Sequence, residues 1–204
     1  PDFGTGVSMV GTAMVMLFAC GAKISHLVIL ALMAVPLLGV LIWLEPYRME
    51  RILSFLDPWA DPMNTGWNII QSLLAIGSGG LFGLGLGSSR QKFFYLPEQH
   101  TDFIFAIIGE ELGFLGSLAV LSLFSLFAWR GFRVAMRASD LFGCFLAVGI
   151  TAMIIVQAAL NIGVVSGVLP VTGVTLPFIS FGSSSLVVSL AGVGVLLNIS
   201  KGIR

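Results

Sequence analysis

Charge is scarce in this chain: of 204 residues only 10% are charged while 57% are hydrophobic, against roughly 25% charged in an ordinary soluble domain. That shortage excludes a water-soluble globule and marks an integral membrane protein. The net charge is zero, so no electrostatic case exists for a nucleic-acid partner. Cysteine is nearly absent, and Cys20 and Cys144 both lie inside apolar runs, which excludes a disulfide framework. The start lacks an initiator Met, a basic leader and a cleavage site. Because Pro1-Asp2 leads directly into an apolar run, an upstream part is expected, and the outward placement of Pro1 that the basic residues imply fits an odd number of spans in it.

What is present is a series of apolar runs, each long enough to cross a hydrocarbon core of roughly 30 Å with about 20 helical residues. Spans are expected near 3–22, 24–44 with Pro36 kinking the helix, 103–129, 141–162 and 184–200. The last two share a stretch, 141–200, without a single charge, and it must fold back through the Pro, Gly, Ser and Thr cluster at 163–185. The fold class is therefore all-α: a polytopic helical membrane protein of about five spans in a single domain over 1–204, with no internal repeat. Lys23, the three arginines Arg130, Arg133 and Arg137, and the terminal Lys201 and Arg204 place one set of connections in the cytoplasm. A long loop, 45–102, and the 170–185 re-entry then share the outer face.

Within that loop, 67–76 reads as a helix whose Trp67, Ile69, Ile70, Leu73, Leu74 and Ile76 occupy one half while Asn68, Gln71 and Ser72 share the other. Such a helix is expected along the membrane interface or packed on the spans. The glycine-rich 77–89 that follows fits neither a dinucleotide fingerprint nor a Walker loop. It reads as a flexible or close-packed hinge.

The polar residues concentrate in RQKFFYLPEQHTDFIFAIIGEELGFLG, Arg90 to Gly116. Thr101 and Asp102 suit a helix N-terminus, where a carboxylate meets free backbone N–H groups, so Asp102 reads either as a cap or as a base. Ala106, Gly109, Gly113, Gly116 and Ser117 line the helix beneath it, as a packing stripe or a ligand groove. Glu110 and Glu111 lie within the span, where an unpaired carboxylate costs several kcal/mol, and each needs a partner, structural or functional. Arg90, Lys92 and His100 fit phosphate contacts beside a general base, or a solvated loop. No second His or Cys stands near His100, so protein side chains alone provide no metal site.

These residues, with PDFGTG at the start and NIGVVSGVLPVTGVTLPFISFGSSS later, resemble the SEDS family of FtsW, RodA and SpoVE proteins. The resemblance covers essentially the whole chain and matches the C-terminal half of a member, with the division and sporulation branch the nearer. It implies a peptidoglycan glycosyltransferase that polymerises lipid II at the outer face of the bacterial cytoplasmic membrane, with a class B penicillin-binding transpeptidase as partner. In the family the essential aspartate of the H-T-D-F-I-F element maps onto Asp102. Glu98, His100 and Thr101 belong to the same motif, and Ser180, Gly182 and Ser184 to a second substrate-contacting one. A divalent cation, Mg or Mn, between Asp102 and substrate phosphate is the cofactor that the resemblance allows. Phe181 stands where the family usually has tyrosine, and Ser183 where it has glycine, at a cost of about 1 kcal/mol if that site requires φ > 0.

A lipid flippase and a non-catalytic scaffold for the transpeptidase are the competing readings. Titratable groups gathered at one face favour the enzyme over the flippase, which needs a polar path through the bilayer. A half-length fragment without the family's N-terminal cavity residues is expected to be inactive.

Overall fold

The computed structural model describes residues 3–89 and 101–202, and these are helical with no strand among them. The helices are α1 (Phe3–Ala19), α2 (Ile24–Trp43), α3 (Pro46–Leu56), α4 (Trp67–Gly79), α5 (Ile104–Arg137), α6 (Leu141–Val165) and α7 (Ser183–Lys201). Three of them, α5, α6 and α7, are long and apolar enough to cross a membrane. α1, with 17 residues, and α2, with 20, are also apolar. α1 ends three residues before the sequence limit because Gly21, at φ 87, turns the chain. There Gly21 N donates to Phe18 O and Ala22 N to Leu17 O, the paired bonds by which a left-handed glycine closes a helix. Pro36 sits inside α2, which continues through it to Trp43.

α5 and α6 pack together, α1 lies on α6, and α4 lies on α5. The main core joins Ala75 of α4, Phe103, Phe105, Ala106 and Ile107 at the start of α5, Ala158, Val164 and Val165 of α6, and Leu176 beyond it. A second cluster, Ala135, Ala147, Val148 and Leu196, ties the far ends of α5, α6 and α7. At that end Arg130 and Arg133 both lie over the Trp129 ring, at 5.0 and 5.3 Å. Large apolar side chains elsewhere face outward, as they do where the surroundings are hydrocarbon.

Two expectations for the long loop need correction. The first concerns α3, unforeseen because its charged Pro46–Leu56 sequence was read as irregular; Pro46 at the first turn lacks only an N–H that would be unpaired there anyway. The second concerns the polar arc of α4, which turns inward. Gln71 and Ser72 are buried, and Ser72 Oγ donates 2.6 Å to Val165 O, whereas Leu73 and Leu74 are exposed. Ile69, Ile70 and Ala75 are buried beside them, so the inward face is mixed, and α4 packs on α5, one of the two placements expected.

α5 is likewise not the continuous span that its sequence implies. Gly113, at φ 66 and ψ −161, interrupts it, and the interruption would strand backbone polar groups in an apolar setting. The glycine-rich segment fills that need: Leu84 N donates to Glu110 O and Gly85 N to Glu111 O, while Phe114 N donates to Gly80 O and Leu115 N to Leu81 O. The approach is too close for side chains. A Cβ on Gly79 would fall 1.9 Å from Gly109 O, and one on Gly83 2.1 Å from Glu111 O. The small residues Gly109 and Gly113 therefore serve packing, and 77–89 is a close-packed element whose Leu81, Phe82, Leu84 and Leu86 point outward.

Candidate functional site

Asp102 lies in the turn that opens α5, but the N-cap position falls one residue later, on Phe103. Phe103 makes no side-chain cap bond, and Asp102 stands beside it at the helix N-terminus, as expected. Its surroundings come from the re-entrant chain between α6 and α7. Residues 170–176 have no regular secondary structure, with Gly173 at φ 74, so their carbonyls need side-chain donors. Arg51 Nη1 donates 3.1 Å to Val171 O, Asn161 Nδ2 2.7 Å to Val174 O, and Gln157 Nε2 3.1 Å to Thr175 O.

Asn161 and Ser180 fasten the Asp102 turn to this segment. Asn161, 1% exposed, also donates 2.7 Å from Nδ2 to Asp102 O. Ser180 Oγ donates to Thr101 O and accepts from Leu176 N at 2.7 Å. Gly173 lies beside the carboxylate, since a Cβ placed on it would be 3.7 Å from Asp102 Oδ2. Gly4, from the opening PDFGTG run, packs on the same segment: its Cβ would strike Thr172 O at 2.4 Å. Segments far apart in sequence thus converge on one carboxylate.

Of the residues singled out from sequence, Thr101, Asp102 and Ser180 come together. Gly182, the extended N-cap of α7, lines with Ser180 a cleft of about 700 Å3 walled also by Ile104, Phe178, Phe181 and Ser183. Ser184 is exposed in the first turn of α7 and does not line that cleft. Ser183 begins the helix, so the strain expected for serine at a positive φ does not arise; the strained residue is Phe178, at φ 67. A bulky side chain in that region marks a backbone held by its surroundings. The Phe178 ring packs edge-on to Phe127 at 6.1 Å. Arg90, Lys92, Glu98 and His100 lie outside the described residues.

Glu110 is 1% exposed and accepts 2.5 Å at Oε2 from the buried Ser89 hydroxyl, which connects the glycine-rich segment to α5 a second time. Glu111 Oε1 is buried with no hydrogen-bond partner among the described residues. No group of three His, Cys, Asp or Glu side chains suited to a metal occurs among those residues. One carboxylate can still supply a ligand to a magnesium-like ion that keeps waters and substrate oxygens in its other positions.

Sequence reasoning passed over Arg48, Arg51, Gln157, Asn161 and Ser89. A signal existed for two of them: Gln157 and Asn161 stand four apart, on one helical face, in a run without charge.

The family profile described as the FtsW, RodA and SpoVE "Cell cycle protein" matches residues 1–204. Stage V sporulation protein E of Bacillus subtilis (strain 168) is 59% identical over 201 residues, covering 98% of this chain and 55% of that protein. A probable peptidoglycan glycosyltransferase FtsW of Geobacter sp. (strain M18) is 50% identical over 203 residues, covering 100% and 55% respectively. Among solved structures, a peptidoglycan synthase complex that coordinates polymerization and crosslinking contains a similar chain, with TM-score 0.78, 32% identity and coverage of 98% of this chain and 56% of that one. Thermus thermophilus rod shape determining protein RodA gives TM-score 0.64, 30% identity and coverage of 100% and 51%. The chain spans about half the length of the relatives it matches.

Proposed function

The chain belongs to the FtsW, RodA and SpoVE family of cell cycle proteins, and from that membership we propose that it polymerises lipid II into glycan strands during division or sporulation. It would work at the outer face of the bacterial cytoplasmic membrane beside a class B penicillin-binding transpeptidase. The relatives' names support the activity, and the similarity to a chain of a synthase complex supports the partner. The observation that carries the catalytic assignment is the fixing of Asp102 through its own and its neighbour's backbone carbonyls. A base must be held within hydrogen-bond reach of the hydroxyl that it deprotonates.

In this reading the 4-hydroxyl of one lipid-linked disaccharide attacks the anomeric carbon of another. The new O–C bond forms as the bond to the diphosphate oxygen breaks, the diphosphate leaves with the electron pair, and the hydroxyl proton passes to Asp102. An α-linked donor and a β-1,4 product need one in-line displacement and no carboxylate nucleophile. Glu98, His100 and Thr101 would orient the acceptor, and Ser180 and Gly182, which line the adjoining cleft, would contact substrate together with Ser184 in the first turn of α7. Arg90 and Lys92 would steady the leaving diphosphate. A Mg or Mn ion held by Asp102 and phosphate oxygens would add Lewis-acid stabilisation of the leaving group.

Asp102→Asn keeps shape and removes the base. In a full-length protein, the variant is expected to fold and insert while losing polymerisation by about two or more orders of magnitude in a reconstituted lipid II assay. Near-normal synthesis would return Asp102 to a structural role, and it is also the outcome that a scaffold predicts.

A further inference from the structure

α3 turns an apolar stripe away from the protein. At about 100° per residue Met49, Leu53 and Leu56 fall within about 60° of one another, and they are exposed, Leu53 at 58% and Leu56 at 71%. The opposite side of the helix is the packed one: Ser54 is buried, and Arg51 Nη1 donates 3.1 Å to Val171 O. An amphipathic helix surrounded by water does the reverse and buries its leucines. The stripe continues at both ends. Trp43 and Leu44, where the apolar α2 finishes, are 76% and 61% exposed, and Trp59, in the short 3-10 turn Pro58–Ala60, is 68% exposed. A contiguous apolar surface of this kind marks a place that something covers.

We propose that α3 and the turn after it form an interfacial anchor, lying in the outer leaflet with the stripe about 5–10 Å into the headgroup and acyl boundary. Three observations select lipid over a protein partner. The first is position: α2 ends at Trp43 and α3 begins at Pro46, three Cα steps or at most about 11 Å away, so α3 starts at the level where an apolar helix leaves the hydrocarbon. The second is residue type. Trp43, Tyr47 and Trp59 are all exposed, and such side chains, apolar in the ring and polar at the tip, make up the belt at a membrane surface. The third is the margin of the stripe, where Glu50 is exposed about 60° around the helix from Leu53. A carboxylate there keeps one edge in water while the leucines enter the lipid. With α4 packed on α5, α3 is the element that rests on the membrane surface. Because Arg51 on its inner side holds the Val171 carbonyl, the level of that surface sets the level of the 170–176 segment beside Asp102.

The test places a nitroxide on single cysteines of a full-length protein, otherwise free of cysteine, in phosphatidylcholine nanodiscs without any partner protein. Relaxation by oxygen, which concentrates among acyl chains, is compared with relaxation by a water-soluble nickel chelate. Labels at Leu53 and Leu56 should be oxygen-favoured, as a label at the exposed Leu123 of α5 is, whereas one at the exposed Asn64 should be nickel-favoured. Trp59 gives a second measure if a labelled variant does not fold. With Trp43, Trp67 and Trp129 replaced by Phe, its emission should fall by about half or more in lipids brominated on the upper acyl chain, the depth expected of an interfacial helix. Nickel-favoured labels at both leucines overturn the proposal, and so does a Trp59 that aqueous acrylamide quenches and brominated lipid does not. If a transpeptidase then shields those labels from nickel, the stripe is a protein-docking face and the anchor is refuted. None of these readouts depends on glycan synthesis, so the anchor and the polymerase reading stand or fall separately.

Discussion

Replacing Gly113 with alanine should unseat the joint between α5 and the glycine-rich segment. Its φ of 66 and ψ of −161 fall in a region that is essentially restricted to glycine, costing another residue about 1–3 kcal/mol. Space is lacking too, because the new Cβ would lie 2.3 Å from Gly83 N and 2.7 Å from Leu81 O. Those atoms belong to the backbone and cannot rotate away, so relief means separating the segments. Four hydrogen bonds cross the joint, each contributing about 0.5–1.5 kcal/mol net. Strain plus one lost bond already gives roughly 2–4 kcal/mol, or about 4–16 °C in melting temperature by the scaling for domains of this length. Thermal unfolding in nanodiscs measures the shift, with Gly77→Ala as control. Gly77 is in α4 with open space at its Cβ position, so alanine there should be neutral or stabilising by up to about 1 kcal/mol. A Gly113→Ala protein that melts within about a degree of wild type would refute the account of the joint.

Asn161→Leu keeps volume but leaves the carbonyls of Asp102 and Val174 without their shared donor. At about 1–3 kcal/mol per unsatisfied buried group it should lower the melting temperature, and polymerisation should fall further than the lost fraction folded explains. Equal losses of folded protein and of activity would reduce Asn161 to a packing residue. If Arg130, Arg133 and Arg137 face the cytoplasm, as the placement of basic residues implies, an impermeant thiol reagent should label a cysteine at Asn64 in intact cells and spare one at Arg133, in a background without Cys20 and Cys144. The opposite labelling pattern inverts the topology.

Sequence alone determined the class of this protein and its family, because both are written in local signals. Apolar run length decides which segments need lipid, and motifs such as HTDFIF and LPFISFGSSS are contiguous. It also identified Thr101, Asp102 and Ser180 as candidates, and it read 77–89 as a flexible or close-packed hinge, an alternative that only the structure decided. Pairing across the chain decided the rest. Nothing near Gly113 in sequence reveals that its broken helix is completed by residues 80–85, since hydrogen bonds between distant backbone groups leave no trace in composition. The inward turn of Gln71 and Ser72 escaped the helical wheel, which divides polar from apolar but does not know which side faces lipid. Arg51 and Asn161 drew no notice in the sequence, because the carbonyls of 170–176 that they satisfy lie far from them along the chain. That segment cannot find hydrogen-bond partners in hydrocarbon, and its need for donors is what draws α3, α6 and the Asp102 turn into one site.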